Sequence, residues 1–195
     1  MIGATLLVTL VWPHRVFSKS DMVQRRRYNL IAALSYNLNS VQTKSTATTS
    51  SAKTNTTFQA LEFGGDYFFT HRLAVTGQML FSVRASVDAA IKGYDLGFRY
   101  YVLKMGHETE ASILGSKIET TPGWTPFLHT GFAARNYDFS NSSLSFQGYE
   151  AGGGIDYHYR QRRFIRGSLD YQSLQNTSAR QLSGYSAALA FGFSL

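Results

Sequence analysis

The 195-residue sequence predicts an all-β fold, namely an eight-stranded antiparallel up-and-down transmembrane β-barrel. Eight segments alternate between large apolar side chains and small or polar ones, which is the pattern of a strand with two different faces. Tyrosine and phenylalanine are frequent, with 12 and 14 residues, and no apolar run approaches the roughly 20 residues of a spanning helix. Because only every second residue of a barrel strand faces lipid, such a chain keeps an ordinary average hydropathy.

The alternation is strictest in residues 184–195. Their large or apolar positions are Tyr185, Ala187, Leu189, Phe191, Phe193 and Leu195, and every position between these is Gly, Ala or Ser. Small residues suit the interior of a small barrel, where little space is left for side chains. This segment is therefore predicted to be a barrel strand with its small face inward.

The other predicted strands follow from the same alternation. In chain order, the eight segments are 28–38, 58–69, 72–84, 94–102, 128–135, 149–159, 165–172 and 184–195. Residues 40–57, 138–146 and 176–183 are predicted to be polar loops, because they contain few apolar side chains. Residues 105–125 mix charges, Gly and Pro, which predicts a long connection or, as the alternative, a hairpin that extends the neighbouring strands.

Tight turns are predicted at Thr70-His71-Arg72 and at Gln161-Arg162-Arg163. Outer-membrane barrels have short turns on the periplasmic side and longer loops outside the cell. If the first strand begins in the periplasm, both tight turns and the 105–125 connection lie on the periplasmic side. That connection is longer than this pattern predicts.

The N-terminal residues differ from the rest of the chain. Ile2–Trp12 form a short apolar run of the length of a signal-peptide core, and Ser18 is a plausible small residue before a cleavage site. Residues 1–18 are therefore predicted to be a signal peptide, and residues 25–195 the barrel domain. The alternative is an N-terminal helix or strand of the mature fold.

Alternation alone does not decide which face points inward, since a soluble lipocalin-type barrel buries its apolar face. Three features favour the inverted arrangement of a membrane barrel. The polar faces are rich in Gly and Ala, their charges are of mixed sign and able to pair in a closed lumen, and aromatic residues lie near strand ends, as in a membrane-interface girdle.

This arrangement assigns each face a set of residues. The residues predicted to face lipid include Leu34, Phe63, Val75, Leu96, Phe132, Ile155, Leu169, Leu189 and Phe191. A charge network in the lumen is predicted from Glu62, Asp66, Arg84, Asp95, Arg99, Arg135, Glu150, Asp156, His158, Arg166 and Asp170. Further basic residues gather next to the predicted periplasmic turns, as solvated turn charges or as side chains that reach inner-leaflet phosphates: Arg25, Arg26, Arg27, Arg72, Lys104, Arg160, Arg162 and Arg163.

Several kinds of chemistry find no support in the sequence. There is no cysteine, so no disulfide or Cys-based zinc site is possible, and the five histidines lack metal-ligand spacing. The net charge of +7 comes without a compact basic helix or an aromatic RNA-binding motif, which argues against a nucleic-acid partner. We therefore expect no catalytic residues, no metal and no cofactor.

Residues 25–195 resemble the eight-stranded OmpA/OmpX/opacity-type outer-membrane barrels in strand number, alternation, loops and closing strand. The closing-strand signal is carried by Phe191, Phe193 and Leu195, where Leu195 stands in place of the usual terminal Phe. The resemblance implies a place at the cell surface of a Gram-negative bacterium, in the bacterial outer membrane. It also implies outer-membrane lipids as partners, the barrel-assembly machinery during insertion, and an extracellular ligand bound through the loops.

The function expected from this combination is that of a non-enzymatic barrel with a lumen filled by side chains, in a structural or surface-interaction role. Two alternatives stay open. One is a small enzyme that modifies lipid A, although no closely spaced His and Ser comparable to those of the lipid A deacylases is present. The other is a soluble lipocalin-like binder of a small ligand.

Overall fold

The computed structural model describes residues 23–25, 27–43, 52–103, 109–113, 116–120, 123–160, 162–177 and 180–195. The predicted signal peptide, residues 1–18, lies outside the described residues. The strands are β1 (Val23–Arg25), β2 (Tyr28–Thr43), β3 (Ala52–Phe68), β4 (Leu73–Ala85), β5 (Ala90–Tyr101), β6 (Thr109–Ile113), β7 (Ser116–Thr120), β8 (Trp124–Phe139), β9 (Ser142–Arg160), β10 (Arg163–Gln175) and β11 (Arg180–Ser194). Within the described ranges, no helix is long and apolar enough to cross a membrane.

Eight of these strands form a closed antiparallel barrel in the order β10-β11-β2-β3-β4-β5-β8-β9. Closure is made by β11 and β2, which pair from Ser194↔Asn29 to Arg180↔Thr43. Each barrel strand thus pairs with its neighbours along the chain, and the ring leaves no open edge among these eight strands. The predicted eight-stranded up-and-down barrel is confirmed.

The two faces of the strands are separated as the inverted arrangement requires. Leu34 is 57% exposed on the outside, whereas its neighbour Ala33 is 7% exposed. Along β5, Leu96 and Phe98 are exposed while Asp95 is buried. The apolar face therefore points outward and the polar face inward, which excludes the lipocalin arrangement.

Strands extend through most of the predicted polar loops. β2 and β3 stay paired as far as Thr43↔Ala52, within the predicted loop 40–57. β8 and β9 stay paired as far as Phe139↔Ser142, so the predicted loop 138–146 reduces to a turn at residues 140–141. For the described residues these loop predictions are wrong, because polar Ser, Thr and Asn can pair in strands beyond the apolar belt without an alternating apolar signal.

The predicted loop 176–183 is also shorter than expected, since β11 already begins at Arg180. The connection at 105–125 contains a hairpin, but this hairpin does not extend the neighbouring barrel strands β5 and β8, as the alternative predicted. Its strands β6 and β7 pair together, and β6 also pairs with β1 through Gln24↔Glu110, giving a separate three-stranded sheet. This small sheet is connected to the barrel at the end where β2 begins. We call this end the basal end and the opposite end the distal end.

Apolar side chains inside the barrel concentrate toward its two ends. The distal group, here called the distal plug, consists of Phe58, Ala60, Leu80, Ile91, Ala133, Tyr137, Phe146, Leu174 and Leu182. Toward the basal end lie two smaller groups, Phe68 with Ala74, Tyr101 and Phe127, and Ile31 with Ala33, Phe164 and Ala190. The polar part of the lumen is therefore bounded by apolar packing on both sides.

Candidate functional site

The structure places ten of the eleven predicted lumen residues on the inward face. They are Glu62, Asp66, Asp95, Arg99, Arg135, Glu150, Asp156, His158, Arg166 and Asp170. Their side chains separate into two groups of contacts, described below as the basal cluster and the central cluster. His158 also packs its ring against Phe164, with 5.2 Å between the ring centroids.

Arg84 is the exception, because it is exposed on the outward face. A β-bulge shifts the register between β3 and β4, so that Ala60 pairs with Ser82 while Gln59 pairs with Arg84. The extra residue, Val83, reverses the alternation beyond this point. The prediction that Arg84 faces the lumen is therefore wrong.

The basal cluster is organised by Arg166 on β10. Its Nε donates to Asp156 Oδ1 at 2.7 Å and its Nη2 to Asp156 Oδ2 at 2.8 Å, a bidentate ion pair with the neighbouring strand β9. The same Nη2 donates to Asp66 Oδ2 at 2.9 Å, across the lumen on β3. Asp66 also pairs with Arg99 of β5, so the cluster joins four of the eight strands.

An aromatic ring and a hydroxyl complete the basal cluster. The Tyr101 hydroxyl donates to Asp156 Oδ2 at 2.8 Å and accepts from Arg166 Nη2 at 3.0 Å. The guanidinium carbons of Arg99 and Arg166 lie 4.7 and 5.1 Å from the centroid of the Phe127 ring, in cation–π contact. Two arginines thus balance two aspartates in a buried, aromatic-lined setting.

The central cluster has a different composition. Arg135 on β8 holds Asp95 of β5 in a bidentate pair, with Nη2 to Oδ2 at 3.1 Å, and its Nη2 lies 3.7 Å from Glu150 Oε2. His129 lies between Glu150 and a further carboxylate, Asp170, with Nε2 3.5 Å from Glu150 Oε1 and Nδ1 3.4 Å from Asp170 Oδ1. Arg135 is the arginine that forms ion pairs with this group.

Glu62 borders the same cavity, which is lined by four carboxylates, by Arg135 and His129, and also by Arg99 and Arg166 of the basal cluster. The internal cavity between them has a volume of about 30 Å³, which is room for one or two water molecules. Two glycines make this packing possible, because a Cβ at Gly93 would come within 2.8 Å of Arg135 Cδ and one at Gly152 would collide with Asp170. Within the described residues, no three His, Asp or Glu side chains are arranged to hold a metal ion.

The outer surface of the barrel is an apolar and aromatic belt. Of the residues predicted to face lipid, Val75 is half-buried and the others are exposed: Leu34, Phe63, Leu96, Phe132, Ile155, Leu169, Leu189 and Phe191. The closing-strand residues Phe191, Phe193 and Leu195 also lie on this face. Aromatic pairs border the belt toward both ends, with Trp124 stacked on Tyr157 at 4.3 Å basally and Tyr171 beside Tyr185 at 5.2 Å distally.

Sequence reasoning missed several members of the lumen. Tyr101 and Phe127 were not selected, although both lie on the inward face of strands that were correctly identified. The alternation of the sequence puts His129 on the same face as Arg135, but His129 was not included in the predicted charge network. The distal plug was missed because its members lie where polar hairpin extensions replace the clear alternation. Every second residue along the strand from Arg99 or Arg135 faces inward, and this rule would have identified Tyr101, His129 and Tyr137.

Solved structures with this fold are known. The N-terminal β-barrel domain of OprF from Pseudomonas aeruginosa is 18% identical, with a TM-score of 0.51, and the match covers 88% of this chain and 100% of that one. The outer membrane protein OprG from Pseudomonas aeruginosa is 15% identical, with the same TM-score, and the match covers 88% of this chain and 97% of that one. No protein-family model matches the sequence, and no curated protein does.

At these identities the likeness shows the fold. The class of protein is defined by that fold together with the outward apolar belt: this is an eight-stranded transmembrane β-barrel of the outer-membrane type. A belt of exposed Leu, Phe and Tyr side chains requires lipid around it, and a closed barrel satisfies the backbone groups that lipid cannot. The protein is accordingly a bacterial outer-membrane protein, with membrane lipids in contact with its strands.

Proposed function

We propose that the protein is a non-enzymatic outer-membrane barrel with a filled lumen, which acts as a structural or surface-interaction protein. The observation that carries this proposal is the small central cavity of about 30 Å³, enclosed between the distal plug and the basal cluster. An eight-stranded barrel is just wide enough for its side chains to fill, and OmpA/OmpX-type barrels are the standard example of this relation. Such a lumen supports a rigid scaffold better than a channel.

Both ends of the lumen argue against a permanent pore. At the distal end Phe58, Tyr137 and Phe146 pack edge to face inside the barrel, with ring centroids 5.7–6.4 Å apart. At the basal end, arginine–aspartate pairs span the lumen from β10 to β3. A conducting path would have to break apolar packing and buried ion pairs in succession.

The distal hairpins are the surface best suited to interaction. Their extensions beyond the apolar belt expose Lys53, Thr54, Asn55, Ser142 and Ser143. We propose that these hairpins lie outside the cell and the basal turns in the periplasm, with insertion assisted by the barrel-assembly machinery. A ligand would then meet the protein through the distal hairpins and the loops that they carry.

An enzymatic role in lipid modification has less support. The titratable clusters lie inside the lumen, separated from lipid by the barrel wall, so an acyl chain beside the barrel does not reach Glu150 or His129. The described outward face is formed mainly by apolar and aromatic side chains. A lipid A mass spectrum from cells with and without the protein tests this conclusion: unchanged spectra support it, and a new acylation or deacylation product would contradict it.

Planar-bilayer recording tests the filled lumen. We expect purified wild-type protein to give no steady porin-sized conductance, and the same is expected of Arg135→Ala, in which the distal plug and the basal cluster stay intact. Steady large conductance of the wild type would contradict the proposal and make transport the function to pursue.

Surface labelling tests the orientation. An epitope tag inserted at the distal turn after Asn141 should be accessible to antibody on intact cells, and one inserted at the basal turn after His71 should not. The reverse pattern, or equal labelling, would contradict the proposed orientation while leaving the fold unchanged.

A further inference from the structure

The exposed charges of the two barrel ends differ. At the basal end Arg27, Arg72, Arg160, Arg162 and Arg163 are exposed. Outside the lumen, the side-chain carboxylates whose exposure is described are Asp88 and Asp138, and both lie at the distal end. There the charges are mixed, and Lys92 forms an ion pair with Asp138 at 3.4 Å. Among the basal residues whose exposure is described, the exposed charged side chains are thus arginines.

The β9–β10 turn brings two of these arginines together. Arg160 and Arg163 are direct partners in the antiparallel register, and a register shift follows Arg163. Arg162 between them adopts a φ of 67°, the left-handed region that a non-glycine residue rarely occupies. Like charges directly opposite each other destabilise a strand pair. An anion bound between Arg160 and Arg163 would offset this repulsion.

An apolar groove begins beside Arg163. This shallow groove of about 400 Å³ runs on the outside of the barrel wall and is lined by Leu30, Ala32, Tyr159, Phe191 and Phe193 together with Arg163. The small side chain of Ala32, paired with the large Phe191 on β11, leaves the depression in the belt. One site thus combines positive charge with a shallow apolar groove, which matches the two chemical parts of a lipid with an anionic headgroup.

The level of this site along the barrel fits a headgroup. Trp124 stacks on Tyr157, and Tyr28 packs against Tyr67 at 5.1 Å, both toward the basal end of the belt. Aromatic residues of this kind lie at the boundary between hydrocarbon and headgroups. Arg160 and Arg163 lie just beyond this girdle, where basic side chains can contact lipid phosphates.

We propose that Arg160 and Arg163 bind the phosphate headgroup of an anionic glycerophospholipid, with one acyl chain in the groove between Leu30 and Phe193. The site itself is defined by the described side chains, whereas its assignment to the inner leaflet rests on the orientation proposed above. A bound lipid would fix the β9–β10 turn and the closing strand β11 at the membrane surface.

Native mass spectrometry of the purified barrel in detergent tests this proposal. Phosphatidylglycerol and phosphatidylcholine with the same acyl chains are added in equal amounts, and the number of lipids retained per barrel is counted. We expect wild type to retain phosphatidylglycerol preferentially and the double variant Arg160→Gln/Arg163→Gln to lose about tenfold or more of that preference. The matched control Arg84→Gln/Lys92→Gln removes two exposed positive charges at the distal end and should keep it.

Two further measurements separate the parts of the site. Ala32→Trp fills the groove and should lower phosphatidylglycerol retention while leaving all arginines in place. Inorganic phosphate should compete only weakly, because it lacks the acyl chain. The proposal is overturned if the basal variant retains lipid as wild type does, if the distal control has the larger effect, or if inorganic phosphate competes as well as the lipid. Because this experiment is done in detergent, its result is independent of conductance and orientation.

Discussion

The basal and central clusters are both buried charge networks, but only the basal cluster is balanced. In the basal cluster two arginines meet two aspartates, with short hydrogen bonds from Arg166 to Asp156 and Asp66. The central cluster has four carboxylates with Arg135 and His129, around a small cavity that Arg99 and Arg166 of the basal cluster also line. The pairs beyond Asp95 are longer there, at 3.4–3.7 Å.

The two clusters therefore differ in how their buried charges are compensated. A balanced set of charge-assisted hydrogen bonds can exclude water and hold β3, β5, β9 and β10 in one arrangement. An acid-rich set needs compensation from water or protons, and the central cavity has room for one or two waters. We therefore expect the basal cluster to tolerate substitution poorly and the central cluster to tolerate it better.

The largest effect is expected from Arg166→Gln. The substitution removes the shared partner of Asp156 and Asp66 and leaves buried carboxylates partly uncompensated. Losing one member of a buried ion pair lowers the free energy of unfolding by about 3–5 kcal/mol. Urea unfolding in lipid vesicles, followed by tryptophan fluorescence, measures this decrease. A loss below about 1 kcal/mol would show that the basal cluster is not dry.

A charge on the outer belt serves as the reference, because it lowers the free energy of unfolding through contact with lipid and not through the lumen. Leu189→Arg should lower the free energy of unfolding by about 2–4 kcal/mol, because the side chain then lies in hydrocarbon near mid-strand. Its matched control, Ala188→Ser, lies on the inward face of the same strand and should change the value little. Equal effects of the two variants in the same urea titration would mean that the two faces are not distinct.

A smaller loss is expected from Arg135→Gln. The substitution removes the bidentate contact with Asp95, which corresponds to about 1.5–3 kcal/mol for hydrogen bonds to a charged group. Water in the central cavity can reach the freed carboxylates and limits the loss. The comparison with Arg166→Gln in the same vesicles is the measurement, and a larger loss for Arg135→Gln would reverse the order of the two clusters.

The smallest effect is expected from Glu150→Gln, which should not destabilise the barrel clearly. Removing one of four carboxylates relieves repulsion, while Asp95 keeps its pair with Arg135. The free energy of unfolding should stay within about 1 kcal/mol of wild type or rise slightly. Asp156→Asn makes the same chemical change in the basal cluster and should destabilise the barrel clearly. Similar losses for the two variants would remove the distinction between the clusters.

The sequence predicted the faces of the strands because alternation is a local property. In β9 and β11 each residue's face follows from its neighbours, and those assignments agree with the structure. The predicted face of Arg84 was wrong because a bulge is one inserted residue that no local sequence pattern indicates. The extensions of the hairpins were not predicted because Thr and Ser carry no apolar signal on either face.

The pairing of side chains within the lumen could not be predicted from the sequence, for a different reason. Asp66 and Arg166 are 100 residues apart, and they meet only because closure of the barrel sets where each strand lies around the lumen. The pool of mixed charges was visible in the sequence, but its division into a balanced and an acid-rich cluster depends on strand stagger. In the small sheet, the pairing of β1 with β6 likewise joins distant segments.

Accessibility scanning along β11 tests the inverted, filled barrel most directly. The chain has no cysteine, so a single nitroxide label can be attached to a cysteine at one position after another from 184 to 193. Its collisions with oxygen, which partitions into lipid, and with a water-soluble nickel complex are then measured in vesicles. Labels replacing Leu189 and Phe191 should collide often with oxygen, and labels replacing Ser186 and Ala188 should collide rarely with either reagent. Frequent nickel collisions at Ser186 and Ala188 would show a water-filled lumen and contradict the account.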